Sequence, residues 1–189
     1  MPVKKKERTK RSVGKRARTK GNSFELTAAK MLTEWSGYEH KRVPLSGGWQ
    51  KNIVSGDIFC CAEHDVSSSN TNICVPFSWE CKNQERWDLA TLFKPDADKN
   101  IIGQFWDQTV NDSKMNQKIP ALIFTRNYQP IFFMILLSTA NKLAKLIGTS
   151  YKNISHMIHT MPNNDKIIML TFADFLEWAP FETVLKLSE

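Results

Sequence analysis

Phe77-Ser78-Trp79-Glu80-Cys81-Lys82 is the stretch of sequence that decides the fold of this chain. Its composition predicts a β-strand, in which successive side chains point to opposite faces. The aromatic residues and the cysteine then point into the core, while Ser78, Glu80 and Lys82 point the other way. A carboxylate and an ammonium on one face of an apolar strand are costly to bury unless both are used. The alternative is an ordinary ion pair on an edge strand.

The preceding strand, predicted over residues 56–62, adds a second carboxylate, Asp57. If the two strands pair as an antiparallel hairpin, Asp57 and Glu80 converge on one side of the sheet. Carboxylate oxygens are ligands that Mg²⁺ prefers, and the backbone carbonyl of Cys81 is placed to be a further ligand. Such a cation polarises a phosphate, and Lys82 can orient the attacking water and stabilise the developing negative charge. The pattern therefore predicts metal-assisted hydrolysis of a phosphodiester.

These residues carry a family resemblance. Gly56-Asp57-Ile58 followed by Glu80-Cys81-Lys82 resembles the PD-(D/E)xK signature of restriction-endonuclease-like nucleases. The surrounding sequence is similar to that of archaeal and phage Holliday junction resolvases. It comprises Gly21-Asn22-Ser23-Phe24-Glu25, then Arg42, then Ser46-Gly47. The resemblance covers about residues 21–137, with a weaker similarity over residues 170–176.

The resemblance implies a catalytic set made up of Glu25, Asp57, Glu80, Lys82 and Ser46. Asp57 and Glu80 would be the principal metal ligands, and Glu25 on the first helix would complete the site directly or through water. Lys82 would position the attacking water. Ser46 would lie beside the scissile phosphate.

Three residues have structural alternatives. With Asn22 as the N-cap, Glu25 stands at the N3 position of a capping box, and the two roles can coexist. Ser46 can be a turn former ahead of two glycines. Gln104 matches a frequently polar position of the family, but with Gln108 one helical turn later it can equally belong to a solvated face.

The sequence departs from the family pattern at two places. Gly56 stands where the signature has proline, which we expect to be tolerated because the aspartate carries the chemistry. The interval from Asp57 to Glu80 is 23 positions, longer than a tight hairpin needs. We assign the excess to the Ser- and Asn-rich loop at residues 65–72.

The hydrophobic pattern predicts an α/β domain with a mixed central sheet flanked by helices, and the resemblance implies a restriction-endonuclease-like core. A first helix is capped by Asn22 or Ser23 and ends at Gly37. Strands are predicted at residues 41–45, 56–62, 73–82, 121–125, 131–137 and 167–170. Further helices are predicted at residues 101–115, 139–147, 151–159 and 172–178. Residues 21–189 are expected to form one nuclease domain, with its core over about 21–137 and a C-terminal helical extension over about 138–189.

Residues 1–20 are strongly basic. The whole chain has 26 Lys and Arg against 19 Asp and Glu, a net charge of +7, and ten of the basic residues lie in this segment beside a single acid. The remainder therefore carries 16 basic and 18 acidic residues, so the folded part is mildly acidic. We expect a disordered arm that, together with Arg42, binds DNA phosphates, with a solubilising or import tail as the alternative. The predicted DNA-binding residues of the arm are Lys4, Lys5, Lys6, Arg8, Lys10, Arg11, Lys15, Arg16, Arg18 and Lys20.

The remaining composition argues against several classes of protein. No apolar segment follows the basic start, so no secretory signal is expected, and the longest apolar run, residues 131–137, is too short to span a membrane. Cys60, Cys61, Cys74 and Cys81 lack disulfide or zinc spacing and are expected to be buried free thiols, with zinc binding as the alternative. The aromatic residues are expected mostly in the core, with Trp49 a candidate for stacking on a base. We expect a cytoplasmic protein of a prokaryote or a phage-infected cell, with nuclear or organellar import not excluded.

The sequence thus predicts a Mg²⁺-dependent endodeoxyribonuclease, with Mn²⁺ able to substitute, that cleaves branched DNA in the manner of a Holliday junction resolvase. The resemblance implies a homodimer and a role in phage DNA recombination or repair. Two alternatives remain open: a restriction or repair endonuclease of the same fold, and a non-catalytic DNA-binding or structural nucleoprotein component with a basic tail.

Overall fold

The computed structural model describes residues 10–43, 56–63, 73–93 and 100–188, with side chains from residue 18 onward. Ser46 and the turn that contains it lie outside the described residues, as do Trp49 and the loop predicted at residues 65–72. Among the described residues, no helix is both long and apolar enough to cross a membrane.

The first helix, α1, spans Lys10–Ser36 and begins earlier than predicted. The proposed start at Asn22 or Ser23 is wrong, and with it the capping-box position of Glu25. Arginine and lysine are good helix formers, so the basic segment extends the helix towards the N-terminus. The Asn22 side chain instead accepts a hydrogen bond from Arg42 Nη2 at 3.3 Å. The second half of the predicted disordered arm is therefore helical, and residues 1–9 lie outside the described residues.

One mixed sheet organises the described part of the chain. Its strands are β1 (His40–Arg42), β2 (Ile58–Cys60), β3 (Phe77–Asn83), β4 (Ile119–Thr125), β5 (Phe132–Leu136), β6 (His156–Thr160) and β7 (Lys166–Thr171). They lie in the order β1-β2-β3-β4-β5-β7-β6. Only β3 and β4 pair in parallel; the other neighbours within the described ranges are antiparallel.

Each face of the sheet is covered by helices. The remaining helices are α2 (Ile101–Lys114), α3 (Leu137–Ile147), α4 (Phe172–Trp178) and α5 (Phe181–Leu185). Helix α1 packs on one face together with α3, α4 and α5, and this core contains Phe77 and Trp79. Helix α2 packs on the other face against Leu122 and Phe124. The predicted α/β class with a mixed, helix-flanked sheet is confirmed.

The structure corrects the C-terminal part of the prediction. Residues 151–159 do not form a helix: a single turn at Tyr151–Asn153 is followed by β6. Strand β6 pairs with β7 through Ile158 opposite Ile168, so long-range strand pairing outweighs the local helical pattern. Strand β7 in turn pairs with β5. The segment after residue 138 is therefore not a helical extension but supplies two strands of the central sheet.

The four cysteines are free thiols in unequal surroundings. Cys60 and Cys81 are buried, Cys61 is half-buried and Cys74 is exposed. The expectation that all four are buried is wrong for the last two. Cys74 lies in the irregular segment that precedes β3.

Candidate active site

Asp57 is positioned by hydrogen bonds on both sides of its strand. Its backbone N–H donates to the carbonyl of Trp79 at 2.6 Å, and its carbonyl accepts from the N–H of Val43 at 2.8 Å. Its side chain is oriented by β3, because Asp57 Oδ2 accepts from the backbone N–H of Cys81 at 2.9 Å. The carboxylate is therefore held at the point where β2 begins beside the middle of β3.

Gly56 makes this position of Asp57 possible. Its φ is +80°, in the left-handed region, and a Cβ built there would lie 2.4 Å from the carbonyl oxygen of Trp79. Proline cannot replace it, since the pyrrolidine ring fixes φ near −65°. The departure from the proline of the PD-(D/E)xK signature is thus a local requirement of this backbone rather than a neutral change.

Glu80 and Lys82 lie on the face of β3 that is covered by α2. Glu80 shares this face with Leu122, its register partner in β4, and is 2% exposed. Lys82 Nζ donates to Glu80 Oε1, and Gln108 Nε2 from α2 donates to the same oxygen at 2.9 Å. The strand therefore presents the carboxylate and the ammonium side by side, as the alternation of the sequence predicted.

The electrostatics of this pair reflect burial. Burial raises the pKa of Glu80 to about 7, and the negative charge of Asp57 adds to the rise, while Lys82 opposes it. Burial alone would lower the pKa of Lys82, yet the adjacent Glu80 carboxylate raises it overall. Asp112 on α2 also contributes to the raised pKa of Glu80. The site thus holds more negative charge than Lys82 balances.

A divalent cation fits this charge distribution. Within the described residues, the hydrogen bonds to these two carboxylates are accepted by Asp57 Oδ2 and Glu80 Oε1. The second oxygen of each carboxylate can therefore face a cation. No group of three or more His, Cys, Asp or Glu side chains is arranged to hold a metal ion in the described ranges. Two carboxylates suffice for Mg²⁺, which keeps several waters and binds substrate phosphates for its remaining ligands.

Cys81 contributes to the site through its backbone. Within a strand, the N–H and C=O of one residue point to the same side. The N–H of Cys81 points to Asp57, so its carbonyl lies on that side as well. Burial, followed by the charge of Asp57, raises the pKa of the Cys81 thiol well above its usual value, which keeps the thiol neutral.

Glu25 is held by a different partner. Its Oε2 accepts from Arg42 Nε at 2.6 Å, and both side chains are largely buried. This pair joins α1 to β1 and was not predicted, because Glu25 was expected at the metal site and Arg42 on DNA. The negative charge of Glu25 acts on Cys81, so the residue borders the site without a described contact to Asp57 or Glu80.

Two predicted DNA-binding residues of the basic segment have described side chains. Arg18 is exposed, and Lys20 is half-buried and pairs with Glu85, which lies just after β3. The basic end of α1 therefore lies near the same end of β3 as Lys82. The side chains of the other basic residues in the segment lie outside the described residues.

Sequence reasoning missed the role of Gln108, which it treated with Gln104 as part of a solvated face. The structure brings the side chain of Gln108 to Glu80. Gln104, Gln108 and Asp112 recur every four residues and so form one stripe along α2. That stripe was the available signal, but which of its members reaches β3 depends on how α2 packs across the sheet.

The fold and the site define the class of protein: an α/β nuclease of the PD-(D/E)xK superfamily. More particularly, the chain belongs to the family described as phage putative PDDEXK endonucleases, whose family model matches residues 16–186. The predicted family is confirmed, and the matched range includes the C-terminal strands and α4.

Comparison with individual proteins adds one similarity. The structure is similar to that of Hjc from Archaeoglobus fulgidus, a Holliday junction resolvase of an archaeal hyperthermophile, with 11% sequence identity over 82% of this chain and 87% of that chain and a TM-score of 0.33. At this level the similarity says nothing about the substrate of this chain. No curated protein matches its sequence.

Proposed function

We propose that this endonuclease is Mg²⁺-dependent and cleaves branched DNA by hydrolysis of phosphodiester bonds. The observation that carries the proposal is the placement of Asp57, directly before β2, beside Glu80 on the adjoining strand β3, with Lys82 bonded to Glu80. If Glu80 and Lys82 formed only a structural ion pair, Asp57 would not be needed beside them, because its negative charge opposes the ionisation of Glu80.

Asp57 and Glu80, with the backbone carbonyl of Cys81, would hold the cation. When bound, Mg²⁺ would polarise the scissile phosphate and favour ionisation of the attacking water. Glu25 borders these ligands and would act through water, while its ion pair with Arg42 fixes α1 against β1. Mn²⁺ would substitute, since carboxylate, carbonyl and water ligands also suit it.

Lys82 would act on the substrate directly. Its raised pKa keeps the ammonium charged near neutral pH, so it is suited to orient the attacking water and to stabilise negative charge that develops on the phosphate. Gln108 shares Glu80 Oε1 with Lys82 and would keep that oxygen in place when the ammonium turns towards DNA. The predicted role of Ser46 beside the scissile phosphate stays a proposal, as does any role for Gln104.

Branched DNA is the proposed substrate because of the sequence around the site. The segment Gly21–Glu25, Arg42 and the Ser46-Gly47 turn are similar to the corresponding parts of Holliday junction resolvases. The basic segment would bind phosphates without reading sequence. Paired nicks across a junction need two active centres, so a two-fold homodimer belongs to the proposal. Recombination or repair of phage DNA would be the setting.

The test compares a four-way junction with a linear duplex of matched sequence, each with Mg²⁺ and with a chelator. We expect the wild type to make symmetric cuts in the junction with Mg²⁺, to leave the duplex largely intact and to cut neither with chelator. Asp57→Asn and Lys82→Ala should bind the junction without cutting it. Equal cutting of both substrates would replace the proposal by a general endonuclease. Absence of cutting with Mg²⁺ and with Mn²⁺ would favour a non-catalytic DNA-binding protein.

A further inference from the structure

Tyr128 combines a fully exposed ring with an uncommon backbone conformation. It occupies the turn between β4 and β5, is 101% exposed, and adopts a φ of +62°. A bulky side chain at positive φ is uncommon and costs free energy. Burial of its ring does not offset that cost, because the ring lies in solvent.

The turn that carries Tyr128 is firmly anchored. Arg126 Nη1 donates to the carbonyl of Trp87 at 2.7 Å, and its guanidinium lies 5.0 Å from the centre of the Trp87 ring. The Thr125 hydroxyl lies 3.1 Å from the carbonyl oxygen of Pro130, within hydrogen-bond reach across the turn. A fully exposed aromatic side chain is therefore displayed from a rigid base rather than from a loose loop.

The turn lies at the catalytic end of the sheet. Strands β3 and β4 are parallel, with Lys82 opposite Phe124, and Tyr128 follows four residues later. At about 3.3 Å per residue, the chain places Tyr128 at most about 13 Å beyond the row of Lys82. Along one DNA strand this distance corresponds to at most about four nucleotides. A DNA strand bound at Lys82 can therefore reach Tyr128.

The charges around the turn suit DNA. The N–H of Asn127 donates to Glu85 at 3.3 Å, which joins the turn to the segment after β3. Glu85 is also paired with Lys20, and Arg126 helps to lower the pKa of Glu85. Arg86 is exposed beside it. The acid near the turn is thus offset by cations, as a surface that meets phosphates requires.

From these observations we infer that Tyr128 stacks on an unpaired or unstacked base at the branch point of the bound DNA. The inference rests on the proposed function, and it supplies a physical means by which the enzyme distinguishes a branched substrate. Stacking on an aromatic side chain is tolerant of sequence because every base has a π-face, whereas bases within a linear duplex are already stacked. Tyr128 would therefore add affinity for branched DNA while leaving phosphate binding to the basic residues.

The first test measures affinity of the full chain for a junction and for a matched linear duplex without divalent cations. Tyr128→Ala should weaken junction binding about 10-fold and change duplex binding less than about twofold, while Tyr128→Phe keeps the ring and should bind as the wild type does. Phe93→Ala is the matched control, since Phe93 is also exposed but contacts His159 of strand β6. An equal loss for both substrates, or a junction affinity unchanged in Tyr128→Ala, would overturn the inference.

The second test does not depend on cleavage. A junction with 5-iodouracil at its branch-point positions is irradiated in complex with the protein, and the cross-linked peptide is identified by mass spectrometry. We expect the cross-link at Tyr128, and its loss in Tyr128→Ala. Cross-links confined to other segments would overturn the inference. If the wild type cuts linear and branched DNA equally, the proposed substrate fails, yet a cross-link at Tyr128 to an unpaired base still supports stacking.

Discussion

Gln108, on helix α2, and Lys82, on strand β3, both donate hydrogen bonds to the same oxygen of Glu80, Oε1. Among the described residues both donors thus fall on one oxygen, and in the proposed site the other oxygen of Glu80 would bind the cation. Groups that orient metal ligands in this way contribute to metal affinity and activity even though they touch neither metal nor substrate.

The orienting role of Gln108 gives the first prediction. Gln108→Ala should raise the Mg²⁺ concentration needed for half-maximal cleavage by about 10-fold, with DNA affinity changed less than about twofold. Single-turnover cleavage across a Mg²⁺ titration measures the first quantity, and binding without divalent cations the second. Asn111→Ala, on the exposed side of the same helix, is the control. A Mg²⁺ requirement that matches the wild type would show that Gln108 is only a packing residue.

The contact between Gly56 and Trp79 gives the second prediction. Gly56→Ala should lower the free energy of unfolding by about 3 kcal/mol or more, because a strained φ is combined with a collision against backbone. Gly148 also has a positive φ, +79°, but a Cβ there meets nothing within 4 Å. Gly148→Ala should therefore cost only about 1 kcal/mol. Urea unfolding followed by circular dichroism compares the two variants, and equal costs would contradict the steric account.

The buried carboxylate of Glu80 gives the third prediction, which concerns pH. A folded-state pKa of about 7 against an ordinary value of 4.5 means that the native state binds the proton more tightly than the unfolded state. The stabilising contribution is thus fully present below the ordinary pKa and is lost as pH rises through about 7. Between about pH 5.5 and pH 8, the free energy of unfolding of the metal-free wild type should fall relative to that of Glu80→Gln, by about 2 kcal/mol.

The comparison with Glu80→Gln is needed because His40 titrates in the same range with the opposite sign. Burial lowers the pKa of His40, so its contribution to stability increases as pH rises. The wild type and Glu80→Gln both contain His40, so its contribution cancels when their free energies of unfolding are subtracted. Glu34→Gln, on the exposed surface of α1, should run parallel to the wild type. Parallel curves for the wild type and Glu80→Gln would contradict the assigned pKa, and added Mg²⁺ should stabilise the wild type more at the higher pH.

The sequence was sufficient to predict which side chains of β3 share a face, because alternation along a strand is a local property. Ser78, Glu80 and Lys82 share a face in the structure as the period of two requires. The sequence also predicted α2, β4, β5 and α4 in their observed order, because each of these elements has its own hydrophobic pattern. The partners of these elements were harder to predict, because they depend on contacts between distant parts of the chain.

Three features show where local pattern was insufficient. The first helix runs through Gly21 because basic helix formers precede it, so a capping motif at Asn22 did not mark its start. The strand β6 exists through its pairing with β7. The Glu25–Arg42 pair depends on α1 crossing β1, and neither residue alone indicates the other. Strand β6 and the Glu25–Arg42 pair are set by tertiary packing, whereas the early start of α1 follows from the helix propensity of the basic residues that precede the capping motif.

The central claim is that Asp57, Glu80 and Lys82 form the catalytic centre, and Lys82 is its most direct test because it is expected to act without holding the metal. The measurement is the single-turnover rate at which saturating enzyme cleaves a four-way junction in Mg²⁺, for the wild type and for Lys82→Ala. We expect Lys82→Ala to lose at least about 100-fold in this rate, with junction affinity changed less than about threefold. A Lys82→Ala variant that cleaves at a rate close to that of the wild type would contradict the central claim.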